Sequence, residues 1–433
     1  MKTTLRKLRT AALAAAAMAP VASIAAGFAL EEGSARGNVN APELMAKGGE
    51  PASIYFNAAN ITALPGTQAQ AGISLIKPWA DVSTTSPYTG QKETSYGHSK
   101  VWTIPSAYVT HQLNDDFWFG FGLFTRYGLG AEFPETWAGR YSSYKAEIIS
   151  FDASPQIAWK ATDSLSLSAG FSLRYFDIEL AQKIDAAGMY GLRNYNDPAY
   201  SPYDIDQDLH GDDVRPCLDL GLSWKITDTV TFGAAYHSRA QFKVRGDAKW
   251  EKHPAVNAMA PAYFEDCYFT ARNWNPDKYM AGFTWDATER LHLSAGATYT
   301  TWHLYDTLLI KLDHDMIPGR DKLVSEKNWH DAWRLSAGAS YDLTEEWAIR
   351  AGYTWDQSPI NGAMADYLVP GDNRSIFAIG GGWTRGAWTI EASYFYELVE
   401  DFHVAGNPMH GTFDGKYQNA SGHCLALSVT RRF

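Results

Sequence analysis

Two short stretches bring together side chains that can ligate metals: Asp313-His314-Asp315 and His210-Gly211-Asp212-Asp213. Both fall in connecting segments, where a solvated charge cluster is the expected state. His292 and Ser294 lie two apart on one strand face and have the residue types of a base and a nucleophile. A polar strand face is rich in both types, so no catalytic residue is assigned and no enzyme is expected. Gly380-Gly381-Gly382 lies on a strand and opens no helix, which excludes a phosphate loop. Three cysteines, Cys217, Cys267 and Cys424, allow one bridge at most. No metal site and no cofactor are expected. The remaining candidates are cations. Arg174, Arg334 and Arg350 stand on polar strand faces and could each hold a carboxylate. They could equally pair with acids such as Asp342, Asp356 or Glu391.

The elements that carry these arginines alternate. From Ser164 to Tyr175, Leu165, Leu167, Ala169, Phe171, Leu173 and Tyr175 share one face, while the intervening positions are Ser, Gly or Arg. The same period recurs from Trp333 to Asp342, from Trp347 to Asp356 and from Trp388 to Glu397. A β-sandwich with a dry core and a membrane barrel with lipid outside would both produce it. Three features select the barrel. The polar faces carry small residues, as a crowded or hydrated lumen requires. Aromatics such as Trp347 and Trp355 cap the apolar faces. The connections alternate between short and long.

Six short turns are expected at 114–115, 162–163, 227–228, 287–289, 343–344 and 385–386, each rich in turn-forming residues. Long connections are expected near 78–98, 128–142, 181–213, 247–269, 304–328, 359–372 and 400–417. Adding a first strand from Thr67 and a last one from Gln418 to Phe433 gives fourteen. The predicted fold is all-β: a fourteen-stranded antiparallel transmembrane barrel at residues 67–433, with short turns in the periplasm.

Composition agrees. The chain has 433 residues, 14% of them aromatic, with 36 Gly and a formal net charge of −11. The aromatic content excludes a disordered chain, and the acidity excludes nucleic acid as a partner. Residues 1–25 have the form of a secretory signal peptide: a basic start at Lys2, Arg6, Lys7 and Arg9, an apolar stretch, and small residues before a cleavage point after Ala25. The expected location is therefore the outer membrane of a Gram-negative bacterium. Phe433 ends an amphipathic strand shared with Arg431, Val429, Leu427 and Leu425, the type of terminus that barrel assembly machinery reads.

Residues 26–66 do not alternate. Ile54, Tyr55, Phe56 and Ile61 are apolar and require burial, so this segment is expected as a hatch (plug) inside the lumen rather than as a periplasmic extension.

With these residues in place, the chain resembles the FadL family of outer-membrane channels for long-chain fatty acids and related hydrophobic compounds. Ala26-Gly27-Phe28 is similar to the family's mature start, and Phe56 to Thr62 lies where the family carries a hatch motif. Tyr127-Gly128-Leu129, Trp137, Ala235-Tyr236-His237-Ser238 and 329–334 match in order. So do Arg350-Ala351-Gly352-Tyr353, 356–360 and 370–374. Ala58 stands where the family has Pro, which releases the φ angle of the hatch turn. The stretch 38–47, with Pro42, departs from the family's hatch pattern. The resemblance implies passive uptake: capture in an apolar groove between outer loops, a lumen site near the N-terminus, hatch rearrangement and sideways release. It implies a lumen site at Phe28, to which the strand faces add Arg174, Arg334 and Arg350 as candidate ligand contacts, a hatch motif at Asn57, Ala58 and Ala59, and a wall opening at the third strand. There Gly120 and Gly122 would permit a bend, or would relieve crowding in the lumen. The implied partners are hydrophobic small molecules and outer-membrane lipid, and the expected unit is a monomer. A general diffusion porin for hydrophilic solutes and a barrel enzyme are the competing readings.

Overall fold

A computed structural model describes residues 27–85, 92–97, 100–186, 203–369, 371–406 and 413–433. The expected leader at 1–25, Ala26 and Pro370 lie outside the described residues. Alternating segments pair in sequence order into a closed antiparallel ring of fourteen strands. These are β1 (Thr67–Thr85), β2 (Trp102–Gln112), β3 (Phe117–Phe124), β4 (Lys145–Lys160), β5 (Leu165–Ile184), β6 (Ile205–Lys225) and β7 (Val230–His237). The ring continues with β8 (Lys278–Asp286), β9 (Leu291–Thr300), β10 (Ala332–Asp342), β11 (Trp347–Asp356), β12 (Arg374–Arg385), β13 (Trp388–Val399) and β14 (Gly415–Arg432). It closes where β14 pairs with β1, from Gln68↔Arg432 to Thr84↔Gly415. All six short turns join the strand pairs assigned to them.

Phe171, Leu218, Phe283, Ile349 and Leu425 point outward and are exposed. Such a surface is stable only against an apolar medium. Trp159 stacks on Phe117, and Trp347 lies beside Trp383, at the short-turn end. Tyr236, Tyr279, Tyr299 and Trp333 form a second row toward the other end.

One boundary differs from expectation. The long connection expected near 247–269 is instead the tip of a separate hairpin, Ala240–Glu251 with Cys267–Asn275. β7 stops at His237, but alternation runs on across the break because the hairpin also buries one face, in the outer-loop cluster.

Residues 27–66 cross the lumen. Helix α1 (Ala35–Ala46) is capped by the Ser34 side chain and kinked at Asn40 (φ −139°, ψ 62°), just before Pro42. A single turn, α2 (Ser53–Phe56), and a 3-10 helix (Ala58–Ala63) follow. α1 packs on β8 to β13 and the 3-10 helix on β4 to β6, so the segment touches opposite walls. Ile54, Tyr55, Phe56 and Ile61 are all buried.

Small lumen-facing residues permit this fit. A Cβ at Gly233 would meet the Met45 carbonyl oxygen, one at Gly338 the Asn40 amide, and one at Gly352 the Val39 carbonyl oxygen. Of the two settings for small polar faces, crowding is the one present here.

Candidate functional site

The site is built where the N-terminal segment meets the wall after β3. Residues 28–30 lie antiparallel to 126–128: Leu30 N donates to Arg126 O (2.9 Å) and Gly128 N to Phe28 O (2.9 Å). This fixes the Phe28 ring in a box of four aromatics. Trp302 meets it edge-on at 4.7 Å, Tyr305 lies at 5.5 Å, and Tyr127 and Trp329 lie at 6.0 Å. Gly27 has φ +71°, and a Cβ there would sit 2.7 Å from the Trp302 ring, so only glycine fits. Toward the outer loops the box continues into an apolar cluster that includes Phe176, Leu209, Phe242, Phe269 and Ile310.

Beneath the box lies a charged layer. Arg174 donates from Nε and Nη2 to the two Asp152 oxygens (2.7 and 2.8 Å). Lys278 Nζ donates to Glu31 (2.5 Å), and His237 Nδ1 lies 2.6 Å from Asp219. Burial pushes the Glu31 carboxyl up, but Lys278 with Arg334 and Arg126 more than offsets this and holds it below the usual range. Arg126 is 1% exposed and lies against the Tyr55 and Phe124 rings (4.8 and 4.9 Å), 3.5 Å from Asp152 and 3.8 Å from Asp219. Three cations, Arg126, Arg174 and Lys278, thus face three carboxylates.

The predicted arginines are not brought together. Arg174 lies against the ring of the box residue Tyr127, 4.6 Å from its centroid. Arg334 shares Asp356 with Arg374 (2.8 and 2.6 Å) and lines a small pocket with Ala29, Glu31 and Trp302, beside the box. Arg350 bonds to Glu391 (2.5 Å) beside α1, lining a cavity of about 630 Å³ at the short-turn end. All three have carboxylate partners, the alternative the residue types left open. His292 is clasped by Asp286 (2.6 Å) and Asp342 (3.3 Å), while Ser294 donates to Asn40, so the two do not meet.

In the hatch motif, Asn57 Nδ2 donates to Met45 O (2.7 Å) and Leu222 O (2.8 Å), and Asn57 Oδ1 accepts from Ala59 N (3.2 Å). One side chain therefore joins hatch, α1 and wall. Ala58 opens the 3-10 helix and is buried with Ala59.

The third strand departs from the expected bend. Gly120 pairs with Thr110 and Gln156, and Gly122 with Tyr108 and Ser154, so the ladder is continuous through both. They admit hatch side chains instead: a Cβ at Gly120 would lie 2.9 Å from Ile54 and from Ile61. The wall parts after Phe124. There Thr125 and Arg126 turn inward, and pairing resumes only on β4, from Gly128 to Glu132. Trp102 to Ser106 of β2 are thereby left with β1 as their one ladder neighbour among the described residues. Pro105, which cannot donate, lies in this one-sided stretch.

Arg126 and Lys278 escape sequence reading. Arg126 follows a strand and has no place in its alternation. Lys278 opens β8 next to outward Tyr279, and only its polar-face position marks it.

A family model described as "Outer membrane protein transport protein (OMPP1/FadL/TodX)" matches residues 15–433. The chain belongs to this family. It is 23% identical over 426 residues to the long-chain fatty acid transport protein of Escherichia coli O6:H1, covering 93% of this chain and 91% of that one. It is 25% identical over 395 residues to a 47 kDa outer membrane protein of Pasteurella multocida, covering 86% and 87%. A Pseudomonas aeruginosa FadL homologue superposes with a TM-score of 0.82 at 21% identity, covering 94% of this chain and 99% of that one. The Pseudomonas putida toluene transporter TodX gives 0.66 at 17% identity, covering 88% and 94%. At these identities the structural likeness is one of fold. Like its family, this FadL-type barrel resides in the outer membrane.

Proposed function

We propose that this barrel takes up long-chain fatty acids or aromatic hydrocarbons by passive transport. The observation that carries the reading is the apolar cluster that runs from the outer loops to the Phe28 box and ends on the charged layer, with residues 27–66 filling the lumen below. Each methylene moved from water into such a cluster gains about 0.8 kcal/mol, which suffices to hold a long chain without any charged contact. Phe28 fills the box, so cargo reaches it by displacing that ring. This pulls on residues 28–30 and on the inward turn at Arg126. The parted wall after Phe124 is the exit into the membrane. Arg174 stiffens the floor through Asp152, and Arg334 and Arg350 stay with their acids. Phe433 addresses the chain to the assembly machinery, and the working unit is a monomer.

A general porin fits less well, because a lumen closed by residues 27–66 offers hydrophilic solutes no free path. Native mass spectrometry of the protein extracted from oleate- or toluene-fed cells tests the reading. Wild type should retain one of these molecules. Trp302→Ala, which opens one side of the box, should weaken retention about ten-fold, the equivalent of 1.4 kcal/mol. Retention of neither molecule by wild type, or full retention by Trp302→Ala, would overturn it.

A further inference from the structure

The hairpin above β7 and β8 has an outward face with an unusual charge. Lys243 and Arg245 on one strand, Arg272 on the next, and Lys311 and Lys322 on the two strands beyond are all exposed on the sheet's outer side. The register sets Lys243 opposite Arg272, and Lys311 opposite Lys322. Like charges in directly opposed positions destabilise a sheet, and none of these five is within ion-pair distance of an acid among the described residues. The register sets Asp212 opposite Arg245, Asp247 follows two residues on, and Asp213 takes Arg215 and the Lys243 backbone N–H. In a chain of net charge −11, two directly opposed pairs of cations, Lys243 with Arg272 and Lys311 with Lys322, are not a default of composition.

Their height is informative. The outer aromatic row at Tyr236, Tyr279, Tyr299 and Trp333 marks the upper part of the apolar band, and the hairpin begins beyond it, past the break at 276–277. Arg272 follows Trp274 on the outward face, at the level where outer-leaflet headgroups begin. The adjoining sector at the same end of β5 and β6 presents Asp177, Glu179, Asp206 and Asp208 instead. The contrast confines anion attraction to one side of the barrel.

We propose that this basic face docks the phosphate groups of a phosphorylated glycolipid in the outer leaflet, with its acyl chains against the apolar wall of β7 and β8. A phosphate between Lys243 and Arg272 relieves their repulsion, and the guanidinium supplies paired donors in the geometry phosphate accepts. This surface lies outside the lumen and does not depend on which cargo is carried.

The test is native mass spectrometry of the whole barrel in a neutral detergent, with a bis-phosphorylated lipid A, its dephosphorylated analogue, and inorganic phosphate as competitor. Wild type should retain the phosphorylated lipid at least about ten-fold better than the analogue. Lys243→Glu with Arg272→Glu and Lys311→Glu should abolish that preference, and Lys160→Glu with Lys225→Glu at the short-turn end should leave it intact. Heat-modifiable gel mobility reports folding of each variant, and Lys243→Gln with Arg272→Gln serves should the reversal variant not fold. Equal retention of both lipids by wild type, or an unaltered preference in a folded variant, would overturn the proposal. So would displacement of the glycolipid by millimolar inorganic phosphate, which would make the surface a free-phosphate site.

Discussion

Gly233→Val combined with Gly352→Val is expected to turn a closed barrel into one that conducts ions steadily in planar bilayers. Both glycines face the lumen, and both are held on either side by ladder partners, Ser223 and Gly282 for one, Gly338 and Ala378 for the other. The wall therefore cannot retreat. A Cβ at Gly233 would also lie 2.7 Å from Ala46 Cα, so α1 must move. Moving it breaks the Lys47–Asp286 pair (2.7 Å), the Asn57 bonds and the bonds of Asn38, Asn40 and Glu43 to the wall, but Cβ atoms well inside van der Waals distance of the Met45 and Val39 carbonyl oxygens leave α1 no other way to relieve the overlap. With α1 displaced, a fourteen-stranded wall leaves an aqueous path, and conductance should rise about ten-fold or more. Gly381 faces lipid, where a Cβ meets only Ala348 O at 3.2 Å. Gly381→Val should stay closed. A folded double variant that does not conduct would mean that the hatch is not what closes this lumen.

The largest loss of stability is expected from Asp152→Ala. Asp152 is fully buried, takes both Arg174 bonds, and is the nearer carboxylate to Arg126. Its removal strands a buried guanidinium, a change that costs about 3–5 kcal/mol. Urea unfolding in detergent should show the loss. Asp152→Leu with Arg174→Met should recover most of it, because replacing a buried pair by apolar groups of similar volume is often close to neutral. Equal stability of wild type and Asp152→Ala would contradict the assignment of this pair as a structural floor.

Much of this architecture is written locally. Leu165 to Tyr175 reveals its lipid face because a strand's side chains alternate with a period of two, and Thr162-Asp163 marks its turn. The hairpin at Ala240–Glu251 was illegible as a separate element because burial beneath loops and contact with lipid impose the same alternation. Within the site, Phe28 and Tyr127 were legible through the resemblance. Arg126 and the box partner Trp302 were not, since each sits in irregular backbone whose position is set by contacts far along the chain. The three arginines were placed on the correct face, yet alternation says nothing of height. Arg174 and Arg334 border the Phe28 box, whereas Arg350 lies far below it at the short-turn end. Gly120 and Gly122 show a related limit: a glycine that admits Ile54 and one that permits a bend read alike in sequence.

The most direct measurement is the uptake of radiolabelled oleate and of radiolabelled toluene by cells that lack their own channels for both and express this chain. Accumulation of at least one, several-fold above vector and lost in Phe28→Ala, is the predicted result. Cells that gain neither compound but admit hydrophilic sugars would contradict the account.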